Sequence, residues 1–356
     1  MRRSPFRVLR AARLAGLVAG LASGLVAFAA LTAAPAQAQP KQRIADLWYA
    51  HNAVVLMLGS ADRVVATVAR PQAFPWMMQV APAMRRAQPV ANGNPNAEDL
   101  LAAHADVVFA SRGAPSIAAM QRLGLDVVRV GFSDFDSMLA CVDQTAAALD
   151  TPLAAQRARD YRAYLGDTLA ATRRALRARP AQPGGAAGNA PRVLHVASLA
   201  PLKVDGSDTI VDQWLRAAGA RNAADGLVGN LRPVSIEQVL AWHPDVVILG
   251  ANAGSIDESP QRALWHTLDA VRDGRVYRNP AGVFPWDRYG PEVALQVRWA
   301  AGVLHPGVFP AQQLVGETQA FYRRFFGYAL SAEDARRMLA GLPPAGAVPA
   351  SASSSH

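Results

Sequence analysis

The chain has 356 residues, 51% of them hydrophobic, with 36 Lys and Arg against 27 Asp and Glu and a formal net charge of +9. Five of the basic residues and none of the acids fall in the first 38 positions, so the surplus over the remaining 318 residues is only 4, too little to favour nucleic acid as a partner. Cys141 is the only cysteine, which excludes an internal disulfide; within "SMLACVDQTAAAL" it reads as a small buried hydrophobe.

In chain order, Arg2, Arg3, Arg7, Arg10 and Arg13 precede an apolar run from Leu14 to Leu31 and a small-residue site at Ala36-Gln37-Ala38. This is the pattern of a cleavable signal peptide over residues 1–38, with an uncleaved anchor as the alternative for so long an apolar run. Cleavage would give a mature chain starting at Gln39, located in the periplasm. No cysteine near the site invites a lipid anchor. From 39 to 150, "RVVATVA", "AEDLLAAH", "DVVFAS", "APSIAAMQRLG" and "LDVVRVG" alternate strands with amphipathic helices, the signature of βαβ units.

The stretch 151–180 opens on Pro152 and keeps apolar residues three or four apart, which predicts one helix. At about 1.5 Å per residue it spans about 40 Å, enough to join two lobes and to resist hinge bending. "PAQPGGAAGNAP" then reads as a linker (181–191 at its core). The alternation restarts over 192–341 with "RVLHVAS", "TIVDQWLRAAGA", "IEQVLAWH" and "DVVILG", and residues 342–356 read as a flexible tail. The expected fold is therefore α/β: two Rossmann-like lobes with parallel central sheets joined by one long interdomain helix.

"NAEDLLAAHADVVFAS" (96–111) and "SIEQVLAWHPDVVILG" (235–250) repeat one unit: a polar cap, an acid, an apolar helical turn, a His-x-Asp corner and a β-branched strand. Helix capping is the favoured role of His104 and His243, ahead of metal binding. No G-x-G-x-x-G follows a strand, and P-loop, G-x-S-x-G and H-E-x-x-H motifs are absent, so a catalytic role is disfavoured.

With these features the chain resembles the type III periplasmic solute-binding proteins of ABC importers for iron-siderophores, haem, cobalamin and related metal complexes. The resemblance is carried by the two corners and by "WLRAAGARNAAD", "LDAVRDGRVYRNP" and "LQVRWAAGVLHPGVFP". Ala105 departs from the family's usual proline in the first corner, and Ala220 from the second glycine of a Gly-Gly-x-Asn pattern. The resemblance implies a monomeric carrier without a resident cofactor. It further implies that Glu98 and Glu237, one on each lobe, dock onto arginines of the two transmembrane subunits of the importer; the alternative is an ordinary acid at a helix start.

Ligands of open α/β sheets bind beyond the carboxyl ends of the strands. The loops there offer His51, Arg70, Trp76, Arg112, Lys203, Trp286, Arg288 and Tyr289 as ligand-binding candidates. Arginines would grip carboxylate, catecholate or oxyanion groups while aromatics cover a chelator's faces. His51 and Tyr289 are candidates to reach a metal directly, and Trp286 and Tyr289 have the alternative of plugging the following helix. The leading expectation is an iron-siderophore or other metal complex. A molybdate-like oxyanion, or a two-lobed α/β enzyme, stands behind it.

Overall fold

The computed structural model describes residues 43–92, 95–179 and 190–347. The expected signal peptide, most of the linker and residues 348–356 of the tail lie outside them.

Lobe one is built on β1 (Ile44–Asp46), β2 (Val64–Thr67), β3 (Gln88–Pro89), β4 (Val107–Ser111) and β5 (Val127–Val130). The order is β3-β2-β1-β4-β5 and every pair is parallel. Its helices are α1 (Tyr49–Met57), α2 (Pro75–Val80), α3 (Ala97–Ala102), α4 (Ile117–Arg122) and α5 (Phe135–Leu149). The chain winds outward from β1 and then returns to β4, so the carboxyl ends of β1 and β4 flank the switch point where such sheets bind ligands.

Helix α6 (Pro152–Arg177) follows after Asp150 turns left-handed (φ 49°). Thr151 caps it by accepting from the Ala154 N–H, with Pro152 in the first turn, where its missing donor costs nothing. It runs along α5, and it ends three residues before the predicted 180.

Lobe two contains β6 (Arg192–Leu199), β7 (Leu202–Val204), β8 (Arg221–Asn222), β9 (Arg232–Pro233), β10 (Val246–Leu249) and β11 (Val276–Arg278). Around them lie α7 (Ile210–Ala217), α8 (Ile236–Trp242), α9 (Arg262–Trp265), α10 (Asp269–Arg272), α11 (Val293–Leu304), α12 (Ala311–Phe321) and α13 (Ala332–Leu339). Strands β8, β10 and β11 are parallel to β6 or its neighbour, but β7 and β9 form an antiparallel edge. Only Ala200 and Pro201 separate β6 from β7, far too few residues for a crossover, so this pair has to reverse direction. Lys203, read from sequence as a loop residue, thus lies in the second strand of a hairpin.

The strands alternate faces. Ile44, Val64, Val107, Phe109, Val193, Val246 and Ile248 point into one large core that both lobes share with α5, α6, α7 and α11 to α13. Their neighbours Ala45, Ala66, Val108 and Ala110 face a separate small core of lobe one, and Leu194, Val196, Val247 and Leu249 face one of lobe two. The C-terminal segment also crosses to lobe one: Trp76 Nε1 donates to the Leu342 carbonyl at 2.8 Å, and Gln79 Nε2 to Tyr328 Oη at 3.1 Å. Continuous packing of this kind sets the lobes' separation. Among the described residues no helix is long and apolar enough to cross a membrane.

The repeated corner has a physical meaning in both lobes. His104 and His243 each turn left-handed at a helix end (φ 49° and 46°). Two residues on, Asp106 and Asp245 accept the backbone N–H of Arg43 (3.0 Å) and Arg192 (2.7 Å), which lead into β1 and begin β6. The guanidinium of Arg43 then caps the Ala103 and His104 carbonyls, and that of Arg192 caps His243. The motif fastens a helix end to the first strand of its sheet.

Candidate ligand cleft

Three rings from three segments meet where the strand ends of the two lobes face each other. Trp48 leaves β1 with an extended backbone, its N–H held by Asp46 Oδ1 at 3.2 Å; Phe132 follows β5; Tyr289 lies in the loop between β11 and α11. Ring centroids stand 5.5 Å apart for Trp48–Phe132, 5.5 Å for Trp48–Tyr289 and 5.7 Å for Phe132–Tyr289. Beside them Phe74 stacks on Phe284 across the lobes at 5.5 Å, with Tyr49 packed at 5.3 Å from Phe74. Trp48, Tyr49, Phe74 and Tyr289 keep part of their surface open.

Under Tyr289 lies a buried charge cluster. His195 projects from β6, its Nδ1 2.8 Å from Asp205 Oδ2 and its Nε2 2.9 Å from Asp287 Oδ2. A ring that donates at both nitrogens is an imidazolium. Burial alone would lower its pKa, but the hydrogen bonds and charges of Asp205 and Asp287 hold it above the ordinary value. Asp205 also takes the Leu231 N–H at 2.9 Å and Arg288 Nη2 at 3.2 Å. Burial raises its carboxyl, yet His195, Arg288 and the backbone bond outweigh that and bring it to about 2.

Arg288, with 18% of its side chain exposed, remains charged although burial opposes it, because Asp287 and Asp205 lie beside it. Two cations therefore balance two anions. Tyr289 stays a neutral phenol: burial raises its pKa, with Arg288 acting the other way, and its oxygen accepts from Asn230 Nδ2.

Four of the sequence candidates are engaged inside the protein instead of on the cleft. His51 is fully buried, with Nδ1 2.9 Å from Asp46 Oδ2 and Nε2 2.8 Å from Thr145 Oγ1, so both nitrogens are taken and neither is available to a metal. Arg70 donates to the carbonyls of Thr67, Val68 and Val90, tying the ends of β2 and β3 together. Trp76 anchors the C-terminal segment as described. Trp286 is the plug that its alternative reading anticipated: it is fully buried, with Nε1 3.2 Å from Glu292 Oε1.

Arg112 is exposed at the end of β4, its stem lying over Gly131, and Lys203 is half-buried in β7. Only Arg288 and Tyr289, among the eight, come together with the aromatic cluster. Glu98 and Glu237 are both exposed in the first turns of α3 and α8, capped by Asn96 and by a Ser235–Gln238 capping box.

Sequence reasoning did not single out Trp48, Phe132, His195 or Asp205. Signals existed: Trp48 and Phe132 each lie two residues past the end of a strand, and His195 interrupts the apolar run "VLHVA". A lone histidine in a buried strand requires polar partners, which directs attention to the nearest acids. No group of three or more His, Cys, Asp or Glu among the described residues is arranged to hold a metal ion.

Comparison with known proteins gives the same architecture. The molybdate-binding protein MolA of Haemophilus influenzae is 28% identical over 136 residues, a match covering 37% of this chain and 38% of that relative. Its molybdate-bound structure superposes with a TM-score of 0.69 at 20% identity, covering 82% of this chain and 94% of the other. A periplasmic solute-binding protein from Veillonella parvula gives 0.70 at 24% identity over 85% and 92% of the two chains. The haem-binding protein BhuT, in complex with two haems, gives 0.57 at 26% identity over 74% and 98%. Residues 44–282, more than half of the sequence and spanning both sheets, match the family model described as periplasmic binding protein, and this chain belongs to that family.

Proposed function

We propose that this protein is the substrate-binding component of an ABC importer, carrying a metal complex of iron-siderophore type in the interlobe cleft. The observation behind this reading is the meeting of Trp48, Phe132 and Tyr289, drawn from both lobes, beside one charged arginine. Partly open rings suit the flat apolar faces of a chelator, and Arg288 supplies a charge-assisted contact to a carboxylate or catecholate oxygen. Arg112, exposed at the end of β4, and Lys203, half-buried in β7, stand apart from the aromatic cluster and are proposed as outlying cations for the same ligand.

A second reading, a molybdate-like oxyanion, is favoured by the match to MolA. It ranks lower because Arg288 is already paired with Asp205, and His195 with two carboxylates, so few donors are left to converge on a small anion.

Fluorescence titration of the purified protein with a ferric catecholate and with molybdate separates the two. The catecholate is expected to bind, with Trp48→Ala and Tyr289→Ala each costing about 1 kcal/mol, roughly fivefold in affinity. Arg288→Ala is expected to cost about 1.5–3 kcal/mol. Tight molybdate binding that ignores Trp48→Ala but is lost in Arg288→Ala would transfer the assignment to the oxyanion. A carrier also releases its ligand unaltered, so turnover of the bound complex would point to an enzyme instead.

Glu98 and Glu237 are the proposed contacts to the two transmembrane subunits. Exposed carboxylates of this kind influence register and association rate more than fold stability. The double alanine variant is expected to keep its melting temperature and ligand affinity while transport and ATPase stimulation drop by about tenfold or more. Normal transport by that variant would remove the docking role.

A further inference from the structure

The loop carrying Arg288 and Tyr289 is organised around a carboxylate that has no role in the reading above. Glu292, fully buried just before α11, accepts the backbone N–H groups of Val283 (2.9 Å) and Phe284 (2.9 Å), the Trp286 indole N–H (3.2 Å) and the Tyr322 hydroxyl. The Tyr322 oxygen in turn accepts from Val283 N at 3.0 Å. Tyr322 opens a π turn, Tyr322–Phe326, an element that is rare and enriched at functional positions. The arrangement has no slack: a Cβ at Gly282 would stand 2.0 Å from both Glu292 Oε1 and Tyr322 Oη.

The loop is also the clasp between the lobes. Phe284 stacks on Phe74 at one end, and Tyr289 meets Trp48 and Phe132 at the other. Its base is fixed by Tyr161 of α6, which donates to the Pro291 carbonyl at 2.8 Å, and by Gln296 of α11, which donates to Asn279 at 2.6 Å.

We propose that Glu292 is a positioning residue: as a carboxylate it gathers four donors that fix the loop 279–292, and through that loop it sets where Phe284, Arg288 and Tyr289 stand at the cleft.

The groups packed around Glu292 are neutral. Tyr322 faces it from the π turn, Tyr161 approaches from α6, Gln296 comes from its own helix, and Asp287 is turned away onto His195. No ion pair among the described residues includes it. Burial pushes its carboxyl up to about 7, while the bonds from Tyr322, Phe284, Val283 and Trp286 hold it down. Proton uptake near neutrality then has a stereochemical consequence. A carboxylic acid has to donate, but three of its four partners are N–H groups with nothing to accept; only the Tyr322 oxygen can take the proton, and its own hydroxyl must then turn elsewhere. The loop is therefore tight with the carboxylate and loosened by the acid.

The test uses the ligand-free protein, so it stands or falls separately from the identity of the ligand. The indole resonance of Trp286 and the amides of Val283 and Phe284 are followed by NMR from about pH 5.5 to about pH 8.5, a range that spans the expected midpoint. All three are expected to titrate together near pH 7. In Glu292→Gln that transition should vanish, and at about pH 8 hydrogen-exchange protection of the two amides should fall roughly tenfold, the loss of one charge-assisted bond. Tyr322→Phe removes one donor to the carboxylate and should move the midpoint upward, which keeps the idea testable if the glutamine variant does not fold. A purely architectural Glu292 predicts lower melting temperatures in both variants with no shared titration. Wild-type resonances that do not titrate near pH 7, or an unchanged transition in Glu292→Gln, overturn the proposal.

Discussion

Replacing His195 with leucine is expected to lower the free energy of unfolding by about 3–5 kcal/mol, the cost of removing one partner from a buried ionic cluster. Leucine matches the imidazole roughly in volume, so the loss is electrostatic and not a cavity effect. Asp205 would retain Arg288 and the Leu231 N–H, but Asp287 would lose the hydrogen bond to its Oδ2, keeping there only Arg288 Nε at 3.9 Å, while its Oδ1 already has no partner. The burden falls on Asp287, which predicts that adding Asp287→Asn to His195→Leu recovers a large part of the stability. Urea denaturation of the two variants and the wild type decides it. A single-variant loss under about 1 kcal/mol would mean that water or the loop compensates, and that the cluster is not closed as described.

The melting temperature is expected to fall by roughly 10 °C as the pH rises from about 5 to about 9, on stability changes of up to about 3 kcal/mol from each of two groups. For His51, burial lowers the pKa, but the charge and hydrogen bond of Asp46 overcome this and take it from 6.5 to about 9. For Glu292, burial raises the value from 4.5 to about 7. Both folded values lie above the unfolded ones. Each contribution is therefore fully present below the unfolded value, 6.5 or 4.5, and is lost as the pH climbs through about 9 or about 7.

Asp46, raised by its burial, and His195, raised by its two aspartates against its burial, act in the same direction. Asp205 acts oppositely but only as the pH falls through about 2, and His305, lowered by burial and by Arg179, opposes the trend below its ordinary 6.5. Calorimetry across the range, with Glu292→Gln flattening the lower half and His51→Gln the upper, tests the assignment. A melting temperature that is level or rising toward alkaline pH contradicts it. The fold as a whole thus gains from acid over the same interval in which the Glu292 loop is loosened, so global melting and local exchange should diverge.

The architecture was legible in the sequence because it depends on local periodicity. Alternating strand and helix patterns, Pro152 at a helix start, and the twice-repeated corner each express a spacing that the chain fixes by itself. Glu98 and Glu237 were found on exposed first turns because capping depends on neighbours three residues away. The antiparallel edge of the second sheet was missed because "SLAPLKV" carries turn residues, and its pairing emerges only when β6 and β9 lie on either side of β7.

The cleft was decided by contacts between residues far apart in the chain. Which aromatic stays half open and which is swallowed depends on what packs behind it: Trp286 meets Glu292 and is buried, whereas Tyr289, three residues on, meets Trp48 and Phe132 from the other lobe. The charge of Arg288 was readable as a residue type, but its neutralisation by Asp205, 83 positions away, was not. His51 was a ligand candidate because it follows a strand whose carboxyl end opens toward the cleft. Asp46 and Thr145 claim both of its nitrogens, and that assignment exists only once α5 has folded against β1 and α1. The sequence by itself determined the elements and their repeat, which are set by short-range stereochemistry; the tertiary structure decided which polar and aromatic groups remain available, because that depends on long-range burial and on the partners burial demands.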